Sequence, residues 1–244
     1  MRTSKTLFVA ALATALIACH KGQVTPNELP VQLSYTFVNG AAPFALNTPF
    51  VDANGRTVRI TKLKFYVHDV RISGSTGTVL AQLQDTIMLV DASNSTNQFS
   101  LGTMSAAQVG QVALAYGLDD ASSYGYPDQV AAPYPLNVAD MTWMWNTSAG
   151  RIFIKLEGFV DANANDVQDE GEGFQYHAIG ASLEPQLTAV PYVHGMVLGT
   201  PFTIRLKVDV AQLVGTLGLN GMFHNDGAET HRLLENLASA TERL

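Results

Sequence analysis

Cysteine is almost absent: the chain has one, Cys19, among 244 residues. A single thiol excludes an internal disulfide framework and any cysteine-rich zinc site. Clusters of Lys and Arg are missing too. Fourteen basic residues stand against 21 acidic ones, a formal charge of −7, which argues against nucleic acid as a partner. No apolar run has the roughly 18 residues a membrane-spanning helix needs. There is no Gly-x-Ser-x-Gly elbow, no phosphate loop and no His-Glu-x-x-His. A catalytic reading therefore has no support, and the chain is expected not to be an enzyme.

What is present begins with a targeting segment. Arg2 and Lys5 precede an apolar run over residues 7–17, which ends at Leu16-Ile17-Ala18-Cys19. That is the pattern of a bacterial lipoprotein signal over residues 1–18, with Cys19 as the lipidated residue. No aspartate follows the cysteine, which favours the outer membrane, facing the periplasm or the cell surface. Loss of Arg2 and Lys5 with the signal would take the charge from −7 to −9. Residues 19–30 read as a flexible tether, and 31–244 as one domain joined to the membrane only through the lipid.

The domain reads as many short strands. Val31 to Val38 alternates and stops at Asn39-Gly40. Residues 63–72, 79–83, 86–90, 110–118, 150–157 and 202–210 continue the pattern. Helix signals are few: one or two turns over 103–109, and a final helix over 226–244, capped by Asp226, with Leu233, Leu234 and Leu237 on one stripe. The expectation is an all-β, antiparallel sandwich with a short C-terminal helix.

The densest motif is Asp161-Ala-Asn-Ala-Asn-Asp-Val-Gln-Asp-Glu-Gly-Glu172. Oxygen donors at Asp161, Asn163, Asn165, Asp169 and Glu172, with the Val167 carbonyl, follow the spacing of a calcium loop. Asp166 stands where glycine is usual and must take left-handed geometry. No amphipathic helices flank the loop, so this is expected to be a structural calcium clamp between strands, not an EF-hand. The competing reading is a polar hairpin loop without metal.

Two histidines invite a second metal. On the strand Lys64-Phe-Tyr-Val-His-Asp-Val-Arg71, Tyr66 and His68 share a face, which simple alternation extends to Val70 and Ile72. His177 lies on a strand over 174–179. A two-imidazole set with few carboxylates suits copper better than a hard ion. The imidazoles bind when neutral, so affinity is expected to fall below about pH 6. A satisfied structural role for each histidine is the bland alternative.

The segment Lys64 to Ile72 resembles the signature strand of the MbnP-like family of bacterial copper-binding proteins. Met141-Thr-Trp-Met-Trp-Asn146 with Ile152 to Gly158 is similar to its second block, and Phe174-Gln-Tyr-His177 to its third. The methanotroph copper proteins of the MopE and CorA type are also similar. The resemblance implies a β-sandwich of the envelope that holds copper through His68 and His177. It also implies a partnership with a di-haem peroxidase that oxidises a ligand tryptophan. Here Tyr66 stands where that tryptophan is expected. Tyr66, Met222 and His224 are the candidates for a third copper ligand, and Trp143 and Trp145 for oxidation. Rival readings are a calcium-stabilised adhesion or envelope-interaction module, and a substrate of the peroxidase.

Overall fold

Alternation builds the molecule, and two interruptions of it place the polar face. The computed structural model describes residues 27–146 and 149–244. The signal, Cys19 and most of the tether lie outside the described residues.

The strands are β1 (Glu28–Asn39), β2 (Ala42–Pro43), β3 (Phe50–Val51), β4 (Thr57–Gly74), β5 (Val79–Leu83), β6 (Met88–Asp91), β7 (Asn97–Ser105) and β8 (Gln108–Tyr116). A long connection over 117–153 follows. It holds a short helix, α1 (Asp120–Ser123), and two 3-10 turns, Pro127–Gln129 and Ala139–Met141. Then come β9 (Ile154–Val160), β10 (Gly173–Ala178), β11 (Gln186–Gly195), β12 (Phe202–Asp209), α2 (Val210–Val214), β13 (Met222–Asn225), α3 (Ala228–Ser239) and β14 (Thr241–Arg243).

Two sheets form. The smaller runs β14-β12-β1-β2, with β7 also on β1. The larger runs β11-β8-β4-β9-β10-β13, with β3, β5 and β6 also on β4. The all-β sandwich expected from the sequence is the observed fold. Most pairs are antiparallel, but β1–β12 and β10–β13 are parallel.

Leu33, Tyr35 and Phe37 of β1 face Phe65 of β4 and Tyr116 of β8 across the interior. Phe65 meets Tyr35, Phe37 and Tyr116 edge-on at ring-centroid distances of 5.7, 6.3 and 5.5 Å. The buried phenols are satisfied in a chain. Tyr35 and Tyr116 hydroxyls are 3.3 Å apart, Tyr116 donates to Thr241 Oγ1 at 2.7 Å, and Thr241 donates to the Leu237 carbonyl at 2.8 Å.

Strand β4 carries two bulges before Ser73, where its pairings with β5 and β8 shift once more. Its pairing with β9 jumps between Ile60 and Lys62, and its pairing with β8 jumps between His68 and Arg71. At the second, Asp69 sits at φ 51°. Val58 and Ile60 point into the core, then Leu63, Phe65 and Val67, then Val70 and Ile72; all are fully buried. Lys62, Lys64, Tyr66 and His68 therefore face outward from the sandwich. The expectation that Val70 and Ile72 continue the His68 face is corrected by the bulge at Asp69.

Smaller corrections follow from tertiary pairing. Residues 103–109 are a β7–β8 hairpin, not helical turns, because their ladders extend the two sheets. Strand β1 already begins at Glu28, with Leu29 buried, so residues 28–30 belong to the sheet and not to a tether. The last helix is shorter than 226–244. Its N-cap is Gly227, since Asp226 instead accepts from the Ser182 amide, and residues 241–243 leave it to join β12.

Candidate functional site

The outward face of the larger sheet carries a row of four residues from adjacent strands. Lys64 pairs with Lys155, Lys155 with His177, and His177 with His224. The row exists because β13 adds in parallel to β10 at the sheet edge and brings Met222-Phe-His224 alongside Gln175-Tyr-His177.

At its end the two imidazoles stack, with centroids 4.2 Å apart and planes 4° from parallel. His177 Nε2 lies 2.8 Å from Glu157 Oε1, and His224 Nε2 lies 3.1 Å from Gln175 Oε1. Each oxygen accepts, so each Nε2 carries a proton, and in the neutral ring each Nδ1 keeps its lone pair. His177 Nδ1 is buried without a partner. Trp143, from the 117–153 connection, stands edge-on to both rings, at 5.2 Å from His224 and 6.1 Å from His177.

A charge network holds that connection down. Lys155 Nζ donates to Asp140 Oδ1 and to the Asp140 carbonyl, both at 2.6 Å. Lys64 bridges Asp140 and Asp91 at 3.1 Å each, and Lys62 reaches Glu157 at 3.4 Å. Burial alone would raise the Asp140 pKa, but the bonds from Lys155 and Lys64 hold it well below the usual carboxylate range. The His177 hydrogen bond lowers Glu157 in the same sense. Burial lowers His224, and the neighbouring His177 adds to it, so His224 stays neutral to lower pH than an ordinary imidazole. Beside the pair opens a cleft of about 420 Å³, lined in part by Glu157, Gln175 and Met222.

The other sequence candidates fall as follows. His68 is buried, and its Nδ1 also lacks a partner. It lies four residues beyond Lys64 on β4, about 13 Å along the strand and two strands, about 10 Å, across from His177. The structure does not bring His68 to His177; it brings His224. Tyr66 is buried and donates to the Pro135 carbonyl at 3.2 Å. Burial raises its pKa far above the usual phenol, so a phenolate there is disfavoured. Met222 is exposed on the same strand face as His224. Trp145 is 91% exposed.

The acidic loop joins β9 to β10. Asp161 accepts from the amides of Asn165 and Asp166, both at 3.0 Å, and Asn165 Oδ1 accepts from the Val167 amide at 2.9 Å. Asp169 Oδ2 accepts from the Asn163 and Asn165 amides at 2.7 and 2.8 Å. Glu172 accepts from the Ala162 and Asp169 amides. Asp166 takes the left-handed geometry the spacing demands, at φ 63°. Among the described residues no group of three or more His, Cys, Asp or Glu is gathered as metal ligands.

Sequence reasoning ranked His224 only as a third candidate, and missed Glu157 and Gln175. The signal for these two was faint: Glu157 and Gln175 each lie two residues from an outward position of the row on a strand of period two.

Taken together, these features define a β-sandwich with an imidazole pair, backed by a carboxylate and an amide, on the outer face of its larger sheet. Comparison with protein families gives the affiliation. A family model for MbnP matches residues 27–231, and the chain belongs to the MbnP family. Among solved structures, MbnP from Methylosinus trichosporium is similar in fold, with a TM-score of 0.55 at 15% identity, covering 83% of this chain and 82% of that one. Comparison with curated protein sequences gives no match.

Proposed function

We propose that this protein binds copper in the bacterial cell envelope, for capture, storage or delivery, tethered through a lipid on Cys19. The observation that carries the reading is the His177–His224 pair, with both Nε2 atoms engaged and both Nδ1 lone pairs left over. Copper bound there would be held by imidazole nitrogen, with the Met222 thioether a soft donor within the same strand segment. Glu157 and Gln175 would fix the tautomers and ring orientations. A nitrogen lone pair lies in its ring plane, so a shared ion requires one ring to turn out of the parallel stack. The role of Trp145 as an oxidation site for a di-haem peroxidase partner belongs to the same proposal, since its indole is open to solvent; Trp143 is the inner candidate.

Copper titration of the chain from His20 onward tests this. One equivalent is expected to bind and to quench Trp143, whose indole stands within 6.1 Å of both rings. Because His224 is lowered, its nitrogen is expected to stay available to lower pH than an ordinary imidazole, with affinity falling below about pH 6. No quench at any copper stoichiometry removes the reading.

The 161–172 loop is proposed to hold calcium as a clamp on the β9–β10 hairpin. Saturating calcium at about a hundred times its dissociation constant is expected to add roughly 2.7 kcal/mol. That corresponds to a rise of about 5–10 °C in Tm, reversed by chelator. An unchanged Tm favours the metal-free hairpin reading.

A further inference from the structure

We propose that the end of the sandwich at which β1 begins is a second membrane contact, one that docks on the anionic phosphate headgroups of a phospholipid bilayer. Three observations meet there.

The first is an apolar tip. The connection from β11 to β12 exposes Val197 (67%) and Leu198 (54%), and Val193 (63%) stands beside it on β11. Single exposed apolar residues are ordinary, but adjacent ones at a loop tip mark an interaction surface.

The second is unpaired positive charge in an acidic chain. Arg205 is exposed, and Arg243 lies over the Tyr192 ring at 4.9 Å and donates to the Val193 carbonyl at 2.9 Å. Among the described residues neither guanidinium is paired with a carboxylate. With His194 and Phe202, whose rings stack at 5.6 Å, they line a groove of about 350 Å³. Guanidinium above an aromatic floor, next to exposed aliphatic side chains, matches a phosphate layer over acyl chains.

The third is position. The Ala106 amide donates to the Asn27 carbonyl at 3.1 Å, and the Met196 amide donates to the Ala107 carbonyl at 3.0 Å. The tip and the start of the domain thus hang from consecutive residues of one turn. Asn27 follows Cys19 by only eight positions, at most about 28 Å of extended chain. A bilayer holding a lipid on Cys19 lies within reach of Val197 and Leu198. The proposal rests on the envelope reading for its bilayer, but its surface is built from residues that reading does not use.

The test is vesicle flotation with the chain from His20 onward, which keeps every described residue and carries no lipid. The vesicles are phosphatidylcholine alone, and phosphatidylcholine mixed equally with phosphatidylglycerol. Binding to the mixed vesicles is expected, weakening as salt rises. The pair Val197→Ser with Leu198→Ser is expected to lower partitioning at least tenfold. Arg205→Ala is expected to lower binding to the mixed vesicles about fivefold and leave phosphatidylcholine unaffected. Arg243→Ala packs against Tyr192, so Arg205→Ala, which removes no described side-chain contact, is the variant that decides. Wild-type protein that floats with neither vesicle, or variants that float as well as wild type, overturn the proposal. Intact mass of the protein extracted from cells separates the two readings. An unmodified Cys19 with vesicle binding preserved removes the anchor and leaves the docking surface. A lipidated Cys19 without vesicle binding by the His20 chain removes the docking surface alone.

Discussion

Alanine at His177 or at His224 is expected to lower copper affinity by at least a hundredfold, while His68→Ala leaves it within about threefold of wild type. The asymmetry follows from the sheet register. His177 and His224 are direct neighbours across a parallel pair, with ring centroids 4.2 Å apart, whereas His68 is displaced along β4 and across two strands. Removing one of two nitrogen donors leaves a single imidazole, and the neighbouring Lys155 Nζ is already engaged by Asp140. Glu157→Gln is expected to act through His177 and weaken binding by about 10- to 100-fold, the range for groups that orient a ligand from behind. Competition titration with a copper chelator reads all four variants. If His68→Ala abolishes binding and His224→Ala does not, copper joins His68 to His177, and the outer face rearranges on loading.

Phe65→Ala is expected to be the most damaging single change to the fold. Phe65 has no exposed surface and is the ring on which Tyr35 and Phe37 of one sheet meet Tyr116 of the other. Truncation removes the transfer free energy of the side chain and leaves a cavity where the sheets join, about 3–5 kcal/mol. For a chain of this size that lowers Tm by about 10 °C or more, measured by calorimetry or circular dichroism. Trp145→Ala, at an exposed indole, is the matched control and is expected to stay within about 0.5 kcal/mol of wild type.

The two predictions differ in how far their residues were legible in the sequence. Strand alternation is a local property, so Leu33, Tyr35 and Phe37 could be placed on the inner face of β1 from spacing alone. The sandwich and its closing helix followed from the same periodicity. The histidine pair did not. His224 lies 47 positions after His177, and the parallel pairing that joins them is set by how β13 packs at the sheet edge, which no short-range pattern encodes. His68 was misplaced for a different reason. Period-two counting carries its face on to Val70, and nothing in Val-His-Asp-Val says that Asp69 adopts a left-handed backbone. The calcium-type spacing was fully legible, because there the chemistry is written in consecutive positions.

The two bulges of β4 have a joint effect that neither has alone. Counting by twos from Val58 gives Ile60, Lys62, Lys64, Tyr66, His68, Val70 and Ile72, a series that would share one face of an unbroken strand. Thr61 inverts the phase and Asp69 restores it, so residues 62–68 form an inverted cassette between two stretches of ordinary core strand. Deleting either residue closes its bulge and leaves both sides on their present faces, whereas straightening either bulge with its residue in place turns everything on one side of it inside out. Straightening both flips only the cassette, driving two lysines and a histidine inward while the flanking strand keeps its faces. The polar face of the sheet is therefore a replaceable insert: its outward residues can be exchanged for other chemistry without asking the core on either side to change.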